Sequence, residues 1–99
     1  MIDVRKAVIA AQDYFNSVQD LMSQNGPLDI QDLRLEEVEL SEDKKYWFVT
    51  IGYDLPKSAM RNPLIPEVLV KTKEWERNYK IFKINADTGN VESMKIREV

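Results

Sequence analysis

The chain has 99 residues, of which 43% are hydrophobic and 31% charged. It carries a net charge of −3 and contains neither cysteine nor histidine. That length gives room for one hydrophobic core, so residues 1–99 are expected to form a single domain. The composition is that of a folded chain rather than a disordered one. The acidic balance argues against a nucleic-acid partner. Without cysteine there are no disulfides, thiol nucleophile or thiolate zinc site, and without histidine the commonest general base and transition-metal ligand are missing. No cofactor, metal site or catalytic residue is therefore expected.

The N-terminal stretch MIDVRKAVIAAQDYF has its apolar residues interrupted by Asp3, Arg5, Lys6 and Asp13. It lacks the continuous apolar segment of a signal peptide, and no run in the chain is long enough to span a bilayer. A cytoplasmic protein with no membrane partner is expected. Residues 3–24 read as one long helix: Val4, Val8, Ala11, Phe15, Val18 and Met22 recur at helical spacing, flanked by Ala7, Tyr14 and Leu21. Asp3 is placed to cap its start, and Asn25-Gly26-Pro27 to end it.

Residues 33–40, LRLEEVEL, read as the first strand. Their alternation slips between Leu35 and Val38. Either a bulge near Glu36-Glu37 restores one apolar face, or the strand starts only at Glu36 or Glu37. After the polar turn Ser41–Lys45, residues 46–55 form the clearest strand, with Trp47, Val49, Ile51 and Tyr53 on one face and Tyr46, Phe48, Thr50 and Gly52 on the other. Strand three is expected over residues 75–86, with Lys80, Phe82, Ile84 and Ala86 on one face and Tyr79 and Ile81 opposite. Strand four is expected over residues 91–96, with Met94 and Ile96 together. The intervening segment Pro56–Glu74 is long for a hairpin loop. Either strand three starts early, near Val68, or the segment folds back over one end of the sheet.

The order is α-β-β-β-β, an α+β fold in which one long N-terminal helix packs on a four-stranded antiparallel meander. Its core is expected to contain Val8, Phe15, Val18, Val49, Ile51, Phe82, Ile84 and Met94.

The hairpin Phe82-Lys83-Ile84-Asn85-Ala86-Asp87-Thr88-Gly89-Asn90-Val91 resembles the closing hairpin of PepSY-like domains. There an alternating strand meets an acidic or amide residue, a small residue, a Thr-Gly turn and a final strand. The upstream helix and the acidic strand Glu36–Leu40 fit the same order, and free-standing chains of this shape resemble bacterial cytoplasmic proteins of unassigned role. The resemblance implies a cystatin-like fold and a role in binding or restraining peptidases. The Pro56–Glu74 insertion departs from that pattern, and the fold carries over better than the peptidase-linked role.

Asp87-Thr88-Gly89 also matches the catalytic tripeptide of aspartic proteases. The retroviral type follows it with a long stretch of sheet, whereas only ten residues follow Gly89 here. The tripeptide therefore reads as a turn in which glycine supplies the left-handed position. The carboxylates Glu36, Glu37, Glu39, Glu42 and Asp43 lack calcium-loop spacing and read as a solvated strand that resists edge pairing.

Two apolar sets are candidate interfaces. If Trp47, Val49 and Phe82 face the helix, then Tyr46, Phe48, Tyr79 and Ile81 lie together on the open side of the sheet. A contiguous patch of that kind marks a contact with a partner or a second copy, unless Lys and Arg stems or the Pro-rich segment cover it. Leu64 and Ile65, with Val68 and Leu69, form the second set, which serves either binding or a local mini-core with Met60 or Trp75. The functional expectation is a non-enzymatic protein-binding or regulatory module, with a homodimer as one form. The alternative is a small-molecule binder or small enzyme using a pocket between helix and sheet, beside Tyr14 and Trp47.

Overall fold

Two small residues set the distance between the two layers of this fold. Ala7 and Ala11 on the helix are fully buried, and without larger side chains there the helix lies close against the sheet. A computed structural model describes residues 1–22, 29–56 and 75–97. Its elements are α1 (Val4–Met22), β1 (Gln31–Leu40), β2 (Tyr46–Pro56), β3 (Trp75–Asn85) and β4 (Val91–Ile96), with the strands in sequence order in one antiparallel sheet. This is the α+β arrangement of one helix on a four-stranded sheet. The expected helix end at Asn25-Gly26-Pro27, and the whole question of an early strand three near Val68, fall outside the described residues.

The helix starts where Asp3 can cap it: the Asp3 carboxylate accepts the Lys6 backbone N–H at 2.8 Å. Just upstream, Ile2 ties the N-terminus to the sheet. Its N–H donates to the Ala86 carbonyl at 2.6 Å, and its carbonyl accepts the Trp47 indole N–H at 3.2 Å. Trp47 thereby buries an aromatic body and still satisfies its one donor.

The core is an aromatic cluster with aliphatic walls. Phe15 lies 5.0 Å from Tyr53 and 6.2 Å from Phe82, ring centre to ring centre, the second contact edge-on. Val49, Ile51 and Ile84 complete it, while Val8 and Met94 pack at its margin. Tyr53, which pattern placed on the correct face, is buried outright, and that burial raises its hydroxyl pKa. Lys80 shares the helix-side face with Phe82, and burial lowers its pKa. Val18 lies one turn beyond Phe15 and is only half-buried.

A helix is about 10 Å across and strands are about 4.8 Å apart, so one helix covers about two strands. Here it covers β2 and β3. On the helix side of the outer strands Val38 and Met94 pack at the margin of the core, while Leu33, Leu35 and Ile96 stay exposed.

Both short turns are held by side chains. In the β1–β2 turn, Asp43 accepts the Ser41 hydroxyl at 2.6 Å and the Lys45 backbone N–H at 3.0 Å, and Lys44 takes φ +60°. These two bonds, the hydroxyl first, hold the Asp43 carboxyl below its ordinary pKa. In the β3–β4 turn, Asn85 Oδ1 accepts the N–H groups of Asp87 and Thr88 at 2.9 and 3.0 Å, and Gly89 adopts φ +77°. Asp87-Thr88-Gly89 is thus the tip of a hairpin between neighbouring strands.

Two outcomes are expected. Phe82→Ala should destabilise the fold by about 3–5 kcal/mol in chemical denaturation, because it empties a fully buried site on β3 beneath Tyr14 and Phe15 of the helix. A loss below about 1 kcal/mol would contradict this core. Asp43's depressed pKa means that its turn contributes stability above the unfolded value of 3.8 and loses it as pH falls through the folded value. Ser41→Ala should therefore raise the Asp43 pKa toward 3.8 in an NMR titration.

Candidate functional site

The face of the sheet opposite α1 carries the sequence's first candidate set. Register decides what lies on it. Tyr46 pairs with Asn85, Phe48 with Lys83, Thr50 with Ile81, Gly52 with Tyr79 and Asp54 with Arg77. Residues directly opposite one another in an antiparallel pair share a face. Tyr46, Phe48, Tyr79 and Ile81 therefore lie together on the side away from the helix, all half-buried. No other described element covers them. Leu64 and Ile65, the second candidate set, lie outside the described residues, as do Val68 and Leu69.

β1 reaches this face through two irregularities. Leu35 pairs with Ile51 and Glu37 with Thr50, which leaves Glu36 as an extra residue. The bulge keeps Leu35, Val38 and Leu40 on the helix side and delivers Glu37 and Glu39 to the open face, opposite Thr50 and Phe48. A second irregularity lies between Gln31 and Arg34, where Asp32 adopts φ +53°, a left-handed conformation that aspartate tolerates better than most residues.

The two irregular residues converge on one cation, Arg77. Its guanidinium donates to the Asp32 carbonyl at 2.7 Å, to the Asp32 and Asp54 carboxylates at 3.3 Å each, and to Glu36 Oε1 in a short contact. Arg34 adds a second bond to Asp32 at 2.7 Å. Partial burial alone would lower the Arg77 pKa. Hydrogen bonds to Glu36 and Asp54 outweigh it and raise the pKa above its ordinary value. The group sits over Gly52: a Cβ there would lie 2.6 Å from Glu36 Oε1 and 2.9 Å from an Arg77 nitrogen. Glycine in the middle of β2 is thus the space the Arg77–Glu36 pair occupies. Sequence reasoning missed Arg77. The signal was available in Gly52, a strand-interior glycine beside a slipped alternation.

The rest of the face is divided by charge. On the β1 side lie Glu37 and Glu39. On the β3–β4 side lie Lys83, opposite Phe48, and Lys95, opposite Ile81. The Lys83 ammonium stands 4.2 Å from the centre of the Tyr46 ring, a cation–π contact. Arg97, just beyond β4, reaches Glu37 at 3.2 Å, linking one edge of the sheet to the other. Lys83 and Lys95 thus dress the aromatic patch on its β3–β4 side, while the Arg97–Glu37 pair crosses the middle of the face. The carboxylates singled out in sequence are dispersed: Glu36 serves Arg77, Glu37 serves Arg97, and Asp43 serves its own turn. Among the described residues, no three acidic side chains are placed to hold a metal ion.

The seam between helix and sheet, where the alternative pocket was expected, is filled. Ala7, Ala11 and Phe15 meet Val49, Ile51 and Phe82 with no more than 1% exposure at any of them, and Tyr14 packs edge-on to Phe82 at 6.2 Å. Among the described residues, no helix is long and apolar enough to cross a membrane.

Comparison with family models, curated proteins and solved structures gives no match.

The Arg77–Glu36–Gly52 arrangement makes a signed prediction. Gly52→Ala should destabilise by about 1–2 kcal/mol in urea denaturation, because the new methyl displaces the ion pair. In a Glu36→Ala background the same change should cost less, since the two nearest obstacles, both on Glu36, are gone and only the Arg77 nitrogen remains. Equal costs in both backgrounds would show that the clash is not the cause.

Proposed function

We propose that this protein is a non-enzymatic protein-binding module that works through the open face of its sheet. The single observation that carries the reading is the register of β2 against β3. It gathers Tyr46, Phe48, Tyr79 and Ile81 on one side of the sheet, opposite the only described helix. Aromatic residues framed by charged ones are the composition of an interface core and its rim. The filled seam beneath α1 is why the pocket-based alternative, a small-molecule binder or small enzyme, ranks second.

A cytoplasmic location belongs to this proposal, on the fit between a cysteine-free chain and a reducing compartment. So does a relation to PepSY-like and cystatin-like domains, for which the support is the element order and the Asn85–Val91 turn. On that relation, the partner class to try first is a peptidase.

The test is a photoreactive phenylalanine analogue at position 48, compared with one at Gln12 on the exposed side of the helix. Irradiation in the native cell should give a discrete protein adduct from position 48 and none from position 12. No adduct from position 48, or equal labelling from both, would overturn the reading.

A further inference from the structure

We infer that the occupant of the open face is a second copy of this chain, related by a two-fold axis that runs parallel to the strands between β2 and β3. This rests on the reading of that face as an interface and adds the partner and its orientation.

One cross-strand row carries the complementarity. Glu37 opposes Thr50, Thr50 opposes Ile81, and Ile81 opposes Lys95. Across the four strands the row reads acid, small neutral, apolar, base. Two sheets can pack face to face about a two-fold axis lying between them, with their strands nearly aligned. If the axis is parallel to the strands, β1 of one copy lies over β4 of the other, and β2 lies over β3. The row then meets its own reverse: Glu37 over Lys95 on one side, Lys95 over Glu37 on the other, and Thr50 over Ile81 on either side of the axis. Near such an axis, chemically identical groups approach one another, and this row has no charge there. If the axis instead ran across the strands, β1 would lie over β1, and Glu37 and Glu39 would face their own copies.

The adjoining row departs from this rule, because it carries a cation, Lys83, on a strand beside the axis and a neutral Ser93 at its margin. Glu39, Phe48, Lys83 and Ser93 stand across the sheet in that order. Under the same axis the Lys83 ammonium of one copy lies over Phe48 of the other, extending the cation–π contact it already makes with Tyr46. The interface is isologous, as closed two-fold dimers require.

Glu37 already has a partner in its own chain, Arg97 at 3.2 Å, with 51% and 41% of the two side chains exposed. Exposed pairs of this kind are weak and easily rearranged. Arg97 starts from the β4 side and reaches across the face to Glu37, so in the dimer its side chain swings aside as Lys95 of the other copy takes its place. The face is about 19 Å wide, for four strands, and about 25 Å long. That footprint sits at the low end of specific interfaces, so a reversible dimer with micromolar dissociation is expected.

The test is charge reversal on the full chain, read by sedimentation equilibrium, with circular dichroism melts to establish that each variant is folded. Each substitution occurs twice in the dimer. Lys95→Glu should weaken association by about tenfold or more, and so should Glu37→Lys. The chain carrying both should recover to within about threefold of the wild type, because each crossing pair is again acid over base. A wild type that stays monomeric to several hundred micromolar would overturn the proposal, and so would single reversals without effect, or a double reversal weaker than either single one. These failures are separable from failure of the interface reading itself. A monomer that still gives a position-48 adduct of another mass has a different partner on the same face, whereas a monomer with no adduct has no interface there.

Discussion

Glu36 is one residue too many for the ladder between β1 and β2, and the disposition of charge over the sheet follows from how that excess is absorbed. Without a bulge, strict alternation would either keep Leu35 on the helix side and turn Glu37 and Glu39 toward the helix, or keep Val38 there and send Leu35 to the open face. With it, β1 changes phase midway. Its leucines and Val38 stay on the helix side, and its glutamates line the open face. The extra residue is itself anchored. Arg77 gathers Glu36, Asp54 and both the carbonyl and carboxylate of Asp32, so one guanidinium holds both irregular points of β1 against β3. Arginine suits this position because its fork of donors can serve several acceptors at once, and it stays charged when partly buried. Gly52 makes the arrangement fit by leaving its side of the strand empty.

A single helix on four strands divides the molecule unequally. The middle two strands receive the alanine-spaced helix and form a dry aromatic core with Phe15. The outer two keep exposed apolar residues on the helix side, Leu33 and Leu35 on β1 and Ile96 on β4. The opposite face has no described cover, yet Thr50 at its centre is almost inaccessible, with 4% exposure. The aromatic and long charged side chains around it close over the middle of the face. What such a face presents outward is a band of half-buried aromatic and aliphatic groups, with Glu37 and Glu39 along the β1 margin beside Arg34, and Lys95 along the β4 margin beside Glu92.

Much of this was legible in the sequence. Periodicity located the helix, and alternation in YWFVTIGY located β2 and named which of its residues face the core. The Asp-Thr-Gly turn fixed the β3–β4 hairpin, and β4 begins and ends where its pattern does, at Val91 and Ile96. The slip in LRLEEVEL was readable as a bulge, although a late strand start explained it equally well until pairing was known. Ala7 and Ala11 drew less notice than Phe15 because small residues carry little hydrophobic signal, yet they set how close the layers come. Gly52 signalled that something fills its side of the strand, but not that Arg77 does, since the partners of Arg77 lie at positions 32, 36 and 54 and meet only after two strand pairings form. The charge polarity of the open face was hidden for the same reason. Glu37 and Lys95 are 58 positions apart, and only the four-strand register puts them in one row.

The proposed dimer depends on the self-complementarity of this polarity. Its most direct measurement is the dimer dissociation constant of the wild-type protein by sedimentation equilibrium across a series of ionic strengths. Acid placed over base at the margins of the interface predicts association that weakens steadily as salt screens those pairs. Association that strengthens with salt would mean that like charges face each other, and would contradict the account.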